Sequence, residues 1–136
     1  GFDAKPGTLK AKLNVEGARM YPALCAEVDA PYGQPGAMVL AFTEEERANI
    51  QTLYEQGIAN GVEGLRVIER EEILSLEPNV NPGVVCALLA PTSGITSPYE
   101  LTCALADHAA VNGVDFLLDT FVAIVAGLIM FPACFT

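Results

Sequence analysis

Two short segments of the chain gather residue types through which a backbone can meet a ligand. One is Ala90-Pro-Thr-Ser-Gly-Ile-Thr-Ser-Pro98, where Thr92, Ser93, Gly94 and Ile95 lie between an apolar run and a helix start. Hydroxyls there can donate and accept hydrogen bonds, and a glycine lets the backbone approach a bound group closely. The other is Gly1-Phe-Asp-Ala-Lys-Pro-Gly-Thr-Leu-Lys10, which crowds turn residues, charge and a helix start. A plain strand-to-helix connection would share the composition of residues 90–98, so that segment is a candidate and not a signature.

Chemistry that announces itself by motif is missing from these 136 residues. No G-x-G-x-x-G dinucleotide turn, P-loop, H-E-x-x-H helix or G-x-S-x-G elbow occurs. Gly57, Gly61 and Gly64 have the wrong spacing for the first of these and fall at a helix end. The single histidine, His108, has Asp107 beside it, but sequence neighbours do not face each other on a helix. A surface or core role is therefore expected for His108 rather than a dyad. Cys25, Cys86, Cys103 and Cys134 are widely spaced, with no C-x-x-C pair, so no metal site is expected. The first residues carry no signal-peptide pattern, and buried, reduced thiols of a cytoplasmic protein are the expectation.

Composition narrows the class further. Hydrophobic residues make up 51% and charged residues 18%, which excludes a disordered chain and provides for a real core. A formal charge of −10 argues against a nucleic-acid partner, which requires clustered Lys and Arg. The charge is also uneven: every Lys and Arg lies at or before Arg70, and residues 120–136 carry no charge of either sign. The apolar tail is shorter than the roughly 20 residues a membrane span needs. It contains Pro132 and lacks a basic flank. It is read as buried strands, or as a segment that packs on further protein, in preference to a membrane segment.

These residues must be positioned by regular elements. Residues 8–28 read as a helix capped by Thr8, with Leu9, Leu13, Ala18, Met20, Leu24 and Cys25 on its apolar face and a break or kink expected at Pro22. Residues 35–42 read as a strand of the buried kind. Thr43 and Glu46 form a capping box for a helix that shows Ile50, Leu53, Tyr54 and Ile58 on one face and stops at Asn60-Gly61. Residues 65–68 read as a strand, 70–76 as a short helix and 84–90 as a strand. Ser97 and Glu100 form a second capping box, with Pro98 at the first helical position, for a helix ending near Val111. Residues 114–118 and 122–125 read as further strands. This order predicts a mixed α/β or α+β fold without internal repeats.

Four segments carry a family resemblance. Gly-Phe-Asp-Ala-Lys-Pro-Gly-Thr-Leu-Lys-Ala-Lys-Leu at the start resembles the stretch that follows the flavin-binding Rossmann unit in FAD-dependent oxidoreductases of the D-amino acid oxidase superfamily. Their nearest forms are the glycerol-3-phosphate dehydrogenases and the L-2-hydroxyglutarate dehydrogenases. Leu65-Arg-Val-Ile-Glu-Arg-Glu-Glu-Ile-Leu-Ser-Leu-Glu-Pro78 is similar to their L-E-P segment, Ala90 to Leu101 to their P-x-(S/T)-G-I turn into a helix, and Asn112 to Thr120 to their N-G-V-x-F strand. The resemblance covers about residues 1–120, and residues 121–136 depart from it.

The resemblance implies an α+β piece with an antiparallel or mixed sheet and helices on one face, lacking the Rossmann flavin-binding unit. Residues 1–120 would be a fragment of the substrate-binding domain and residues 121–136 a divergent apolar tail. By this likeness Gly1, Phe2 and Val122 would meet the FAD cofactor of the full-length parent, and Thr92, Ser93, Gly94 and Ile95 would face the substrate. That substrate would be glycerol 3-phosphate or a small 2-hydroxy acid. No catalytic base is assigned, and the fragment itself is expected to be inactive and free of flavin. The rival expectation is a non-catalytic interaction module that docks through its apolar tail onto a partner or forms a homo-oligomer. A membrane-tethered domain is the weakest alternative.

Overall fold

A computed structural model describes residues 1–121. The elements are α1 (Leu9–Glu27), β1 (Tyr32–Gly33), β2 (Ala37–Ala41), α2 (Glu44–Ala59), β3 (Arg66–Glu69), α3 (Arg70–Leu76), β4 (Cys86–Ala90), β5 (Ile95–Thr96) and α4 (Pro98–Val111). The fold is α+β, and every strand pair among the described residues is antiparallel. The described residues divide into two units, the first Gly1–Leu105 and the second beginning at Ala106.

Local chemistry sets the helix starts. The Thr8 Oγ1 accepts from the Ala11 backbone N–H at 3.3 Å, and the Thr43 Oγ1 accepts from Glu46 N–H at 3.1 Å. The Glu46 carboxylate returns to the N–H of Phe42 at 2.6 Å, one residue earlier than in the usual box. Ser97 Oγ accepts from Glu100 N–H at 3.3 Å. Each contact satisfies an amide that the helix itself cannot pair.

The core is a three-stranded sheet in the order β2-β4-β3. Central β4 alternates between two clusters, as a strand must. Cys86, Leu88 and Ala90 pack with Ala41, Leu65 and Ile50 of α2. Ala87 packs on the other face with Ile68, Val84 and Ile73 of α3. So α2 covers one face of the sheet, and the short α3 meets the other. The strand read as buried, 35–42, is an edge strand: Ala37 is exposed and only Ala41 is fully buried. Its expected first residues, Pro35 and Gly36, precede it in a turn where Gly36 takes φ of 78°.

Further expectations are corrected. Helix α1 continues through Pro22 without the expected break. Its buried residues are Ala11, Val15 and Cys25, whereas Leu9, Leu13 and Met20 are 69%, 56% and 63% exposed. Of the expected face Cys25 is buried and Leu24 half-buried, whereas Ala18 is exposed with Leu9, Leu13 and Met20. Residues 114–118 form no strand: the alternation of Val114, Phe116 and Leu118 has no partner strand among the described residues, and all five positions are exposed. A lone strand leaves its backbone groups without a ladder, so the pattern alone cannot hold it. The expected strand at 122–125 lies outside the described residues. Cys25 and Cys86 are buried free thiols as expected, but Cys103 is an exposed one; it sits on a helix face turned to solvent.

Candidate functional site

A two-stranded ladder, missed by sequence reading, assembles the site. Tyr32 pairs with Thr96 and Gly33 with Ile95. The ladder ties the connection after α1 to the loop after β4. Side-chain and backbone bonds add to it. Thr96 Oγ1 donates to Pro31 O at 2.6 Å, Gly36 N–H to Ser93 O at 3.0 Å, and Thr92 Oγ1 to Glu63 O at 3.3 Å. The loop is thus pinned on both sides, with Thr92 and Ser93 turned to one opening.

That opening is a cleft of about 200 Å³ whose walls include Gly1, Phe2, Ala18, Arg19, Tyr32, Glu63, Thr92 and Ser93. A neighbouring cleft of about 330 Å³ includes Gly94, Ile95 and Thr96 and shares Gly1, Asn14, Ala18 and Tyr32 with the first. The two sequence-selected segments, some ninety residues apart, therefore meet at one place. Gly1 and Phe2 share the first cleft with Thr92 and Ser93, while Gly94 and Ile95 line the second. Val122 lies outside the described residues. His108, on α4, is exposed and lines neither cleft.

Glycines earn their places by close approach. A Cβ on Gly94 would stand 2.7 Å from the Tyr32 ring Cε2, with the hydroxyl closer still, so only Gly lets this ring lie across the loop. Tyr32 in turn stacks on Tyr21 of α1, with ring centroids 6.5 Å apart and planes 16° from parallel. Opposite, a Cβ on Gly57 would lie 2.9 Å from Phe2 Cβ and would overlap Leu65. Phe2 can reach the α2 core only because residue 57 has no side chain.

The charged groups at the first cleft are Arg19 and Glu63. One guanidinium nitrogen, Nη2 of Arg19, donates to Glu63 Oε1 at 2.9 Å and to Gly61 O at 3.1 Å. The pair joins α1 to the turn after α2. Shifted ionisation lies elsewhere, around the sheet edge. Arg47 forks onto Glu69 at 2.8 and 3.1 Å, and this hydrogen-bonded pairing raises the guanidinium pKa and lowers that of the Glu69 carboxyl. Burial pushes the Cys86 thiol up, which keeps it protonated and inert.

Sequence reading missed Tyr32, Arg19, Asn14 and Gln34. The line Ala11, Val15, Ala18, Pro22, Cys25 at helical spacing was the available signal: Ala11, Val15 and Cys25 are buried, while Ala18 and Pro22 are exposed and line the first cleft with Asn14 and Arg19.

An antiparallel sheet, with a cleft built from a strand–loop–helix turn and the segment that begins at Gly1, defines an α+β module with an open cleft. Residues 1–128 match the family described as FAD dependent oxidoreductase (DAO), and the chain belongs to this family. It is 46% identical over 119 residues to a glycerol 3-phosphate dehydrogenase of Caloramator mitchellensis, covering 88% of this chain and 25% of that protein. It is 38% identical to the mitochondrial L-2-hydroxyglutarate dehydrogenase of Mus musculus over the same shares. The fold matches the dithionite-reduced L-alpha-glycerophosphate oxidase of Mycoplasma pneumoniae with FAD bound, at a TM-score of 0.76 and 31% identity, over 85% of this chain and 31% of that one. The chain thus spans about a quarter of the length of its curated relatives.

The described residues do not by themselves fit FAD. A dinucleotide pyrophosphate is held at the N-terminus of a helix that follows a strand. Here each helix that directly follows a strand has carboxylates in its first turn: Glu44, Glu45 and Glu46 in α2, Glu71 and Glu72 in α3, and Glu100 in α4. These would repel a pyrophosphate. The first cleft is also smaller than the roughly 300–1,000 Å³ of a complete small-molecule pocket.

Proposed function

We propose that this chain is the substrate-side part of an FAD-dependent dehydrogenase or oxidase that acts on glycerol 3-phosphate or a small 2-hydroxy acid. The observation that carries the reading is the meeting of Gly1-Phe2 with Thr92-Ser93 at one cleft. The names of two similar proteins support the substrate class: one is a glycerol 3-phosphate dehydrogenase, another an L-2-hydroxyglutarate dehydrogenase. In such enzymes the flavin supplies the redox chemistry. The residues of this chain contribute hydroxyls, amides and one guanidinium to a shaped wall. Residues 1–120 form this substrate-binding piece and 121–136 a divergent apolar segment. Gly1 and Phe2 face the cofactor side of the cleft, and Thr92, Ser93, Gly94 and Ile95 face the substrate. Two buried free thiols, Cys25 and Cys86, suit a reducing compartment such as the cytoplasm. Among the described residues, no helix is long and apolar enough to cross a membrane.

The test is a chemical-shift titration of the labelled 136-residue chain with sn-glycerol 3-phosphate and with L-2-hydroxyglutarate. One of them is expected to move the amides of Phe2, Thr92 and Ser93. No movement at millimolar concentration of either would overturn the substrate-side assignment. The visible spectrum of the purified chain is expected to show no flavin band, and stoichiometric flavin would overturn the single-wall reading.

A second reading is favoured by one observation. From Val111 to Phe121 every position is exposed, and Phe121 reaches 87%. Exposed Val111, Val114, Phe116, Leu117, Leu118 and Phe121 in one stretch suit packing against further protein, in a partner subunit or a second copy. Size-exclusion of the chain with and without residues 121–136 separates this from the first reading: an unchanged elution volume removes the tail as a contact.

A further inference from the structure

We infer that Asn60 is a positioning residue for the cleft. This inference rests on the reading of Gly1-Phe2 as a ligand-facing wall, but it concerns what holds that wall. Asn60 closes α2, a role that any residue tolerant of a helix end could fill. Its side chain does something else. The Nδ2 amide donates to the carbonyl of Gly1 at 2.8 Å and to the carbonyl of Ala4 at 2.7 Å, and the side chain is half-buried. One amide group thereby spans both ends of the Gly1–Ala4 segment. The NH2 group suits this because both partners are acceptors and each takes its own hydrogen, which a hydroxyl or a carboxylate at this position could not supply.

Two neighbouring features make the arrangement specific. Gly57, one turn earlier on α2, is bare where Phe2 crosses it. Ala4 is buried, at 2% exposure, so its carbonyl sits against packed protein and depends on a protein donor. The last turn of α2 therefore clamps the N-terminal segment twice, by shape at Gly57 and by hydrogen bonding at Asn60. The same turn continues into Gly61, Val62 and Glu63, which line the cleft directly. Asn60 fixes the distance between that lining and Phe2 without touching a ligand itself.

The test compares Asn60→Ala, Asn60→Asp and Thr43→Ala in the full 136-residue chain. Thr43→Ala weakens the other end of α2 and leaves the clamp intact. The readout without ligand is the set of nuclear Overhauser cross-peaks from Gly1 to Val15 and from Phe2 to Leu65. Both Asn60 variants are expected to abolish these cross-peaks, while Thr43→Ala keeps them. Asn60→Asp should be the more disruptive, since an isosteric carboxylate sets its charge against two carbonyl oxygens. If shape alone mattered, Asn60→Asp would be the milder variant, and that result overturns the inference. Cross-peaks that persist in Asn60→Ala overturn it too.

The second readout is the affinity of sn-glycerol 3-phosphate or L-2-hydroxyglutarate, whichever moves the amides of the native chain, expected to weaken at least fivefold in Asn60→Ala and to be unchanged in Thr43→Ala. Equal weakening in the two overturns the inference. A different pattern strikes the proposed function alone: the Asn60 variants abolish the cross-peaks, yet the wild-type chain responds to neither the phosphate ester nor the hydroxy acid. The clamp then stands and the substrate-side reading falls. Should Asn60→Ala fail to fold, Asn60→Ser supplies the same comparison with one donor in place of two.

Discussion

The sheet beneath α2 and the cleft beside α1 are built from different materials. The sheet is sealed by apolar burial: Ala41, Val84, Cys86, Ala87 and Leu88 are completely inaccessible. The cleft is held by small side chains and by polar pins, among them the Asn60 amide, the Arg19–Glu63 pair and the hydroxyls of Thr92 and Thr96. Helix α1, which forms one wall of the cleft, buries three residues along its whole length. The contrast shows how one unit divides its labour. Burial is non-directional and supplies stability. Hydrogen bonds are directional and hold a loop in place while leaving an opening beside it.

The largest effect that should separate the two regions is a deletion in the sheet. Leu88→Ala is expected to cost about 2–5 kcal/mol, the range for emptying a packed leucine site. Leu13→Ala, on the outward face of α1, should change stability by less than about 0.5 kcal/mol. Urea unfolding followed by far-UV circular dichroism measures both. A large loss from Leu13→Ala would mean that this face is covered in solution and would break the contrast.

Gly57 tests the seam between the regions. A glycine within a helix is ordinarily about 1 kcal/mol worse than alanine. Here Gly57→Ala should be destabilising instead, by about 1–3 kcal/mol, because the new methyl meets Leu65 and Phe2. The same unfolding assay reads the sign directly. A stabilised variant would show that Phe2 is not seated on α2. At the far end of that helix, Thr43→Ala should cost about 1 kcal/mol for the lost cap. Its effect should be confined to stability, with the cleft resonances unmoved.

These outcomes bear on what could be read from the chain alone. Thr8, Thr43 and Ser97 were legible as helix starts because a cap is a local matter of one oxygen and one amide three residues on. The strands β3 and β4 and the short α3 were legible because their residues are apolar where they meet a neighbour. The β1–β5 ladder was not legible, because two residues show no period and the pairing joins Tyr32 to Thr96 across the chain. The face of α1 was misread because hydrophobic size does not dictate burial, and Leu9, Leu13 and Met20 point outward. The candidate loop at 92–95 was found by its composition. Tyr32, Arg19 and the second role of Asn60 were hidden, since each depends on a partner more than forty positions away in the chain or on a ring crossing a glycine.

The smallest effect belongs to the charged edge of the sheet, where the contrast is sharpest in kind. Arg47 reaches from α2 to Glu69 of β3 and also to Glu44 at 2.9 Å. The guanidinium holds the Glu69 carboxyl below its ordinary value of about 4.3. A carboxyl depressed in the folded state stabilises that state fully above its unfolded pKa, and the contribution is lost as pH falls through the folded one. Between pH 7 and 5 the difference in urea midpoint between the native chain and Glu69→Gln should therefore stay constant. Below about pH 4.3 it should shrink toward zero. The groups are exposed, so added salt should shrink the same difference at neutral pH. A difference that grew as the pH fell would mean that Glu69 is stabilised in its neutral form, and the fork onto Arg47 could not then be what joins α2 to the edge of the sheet.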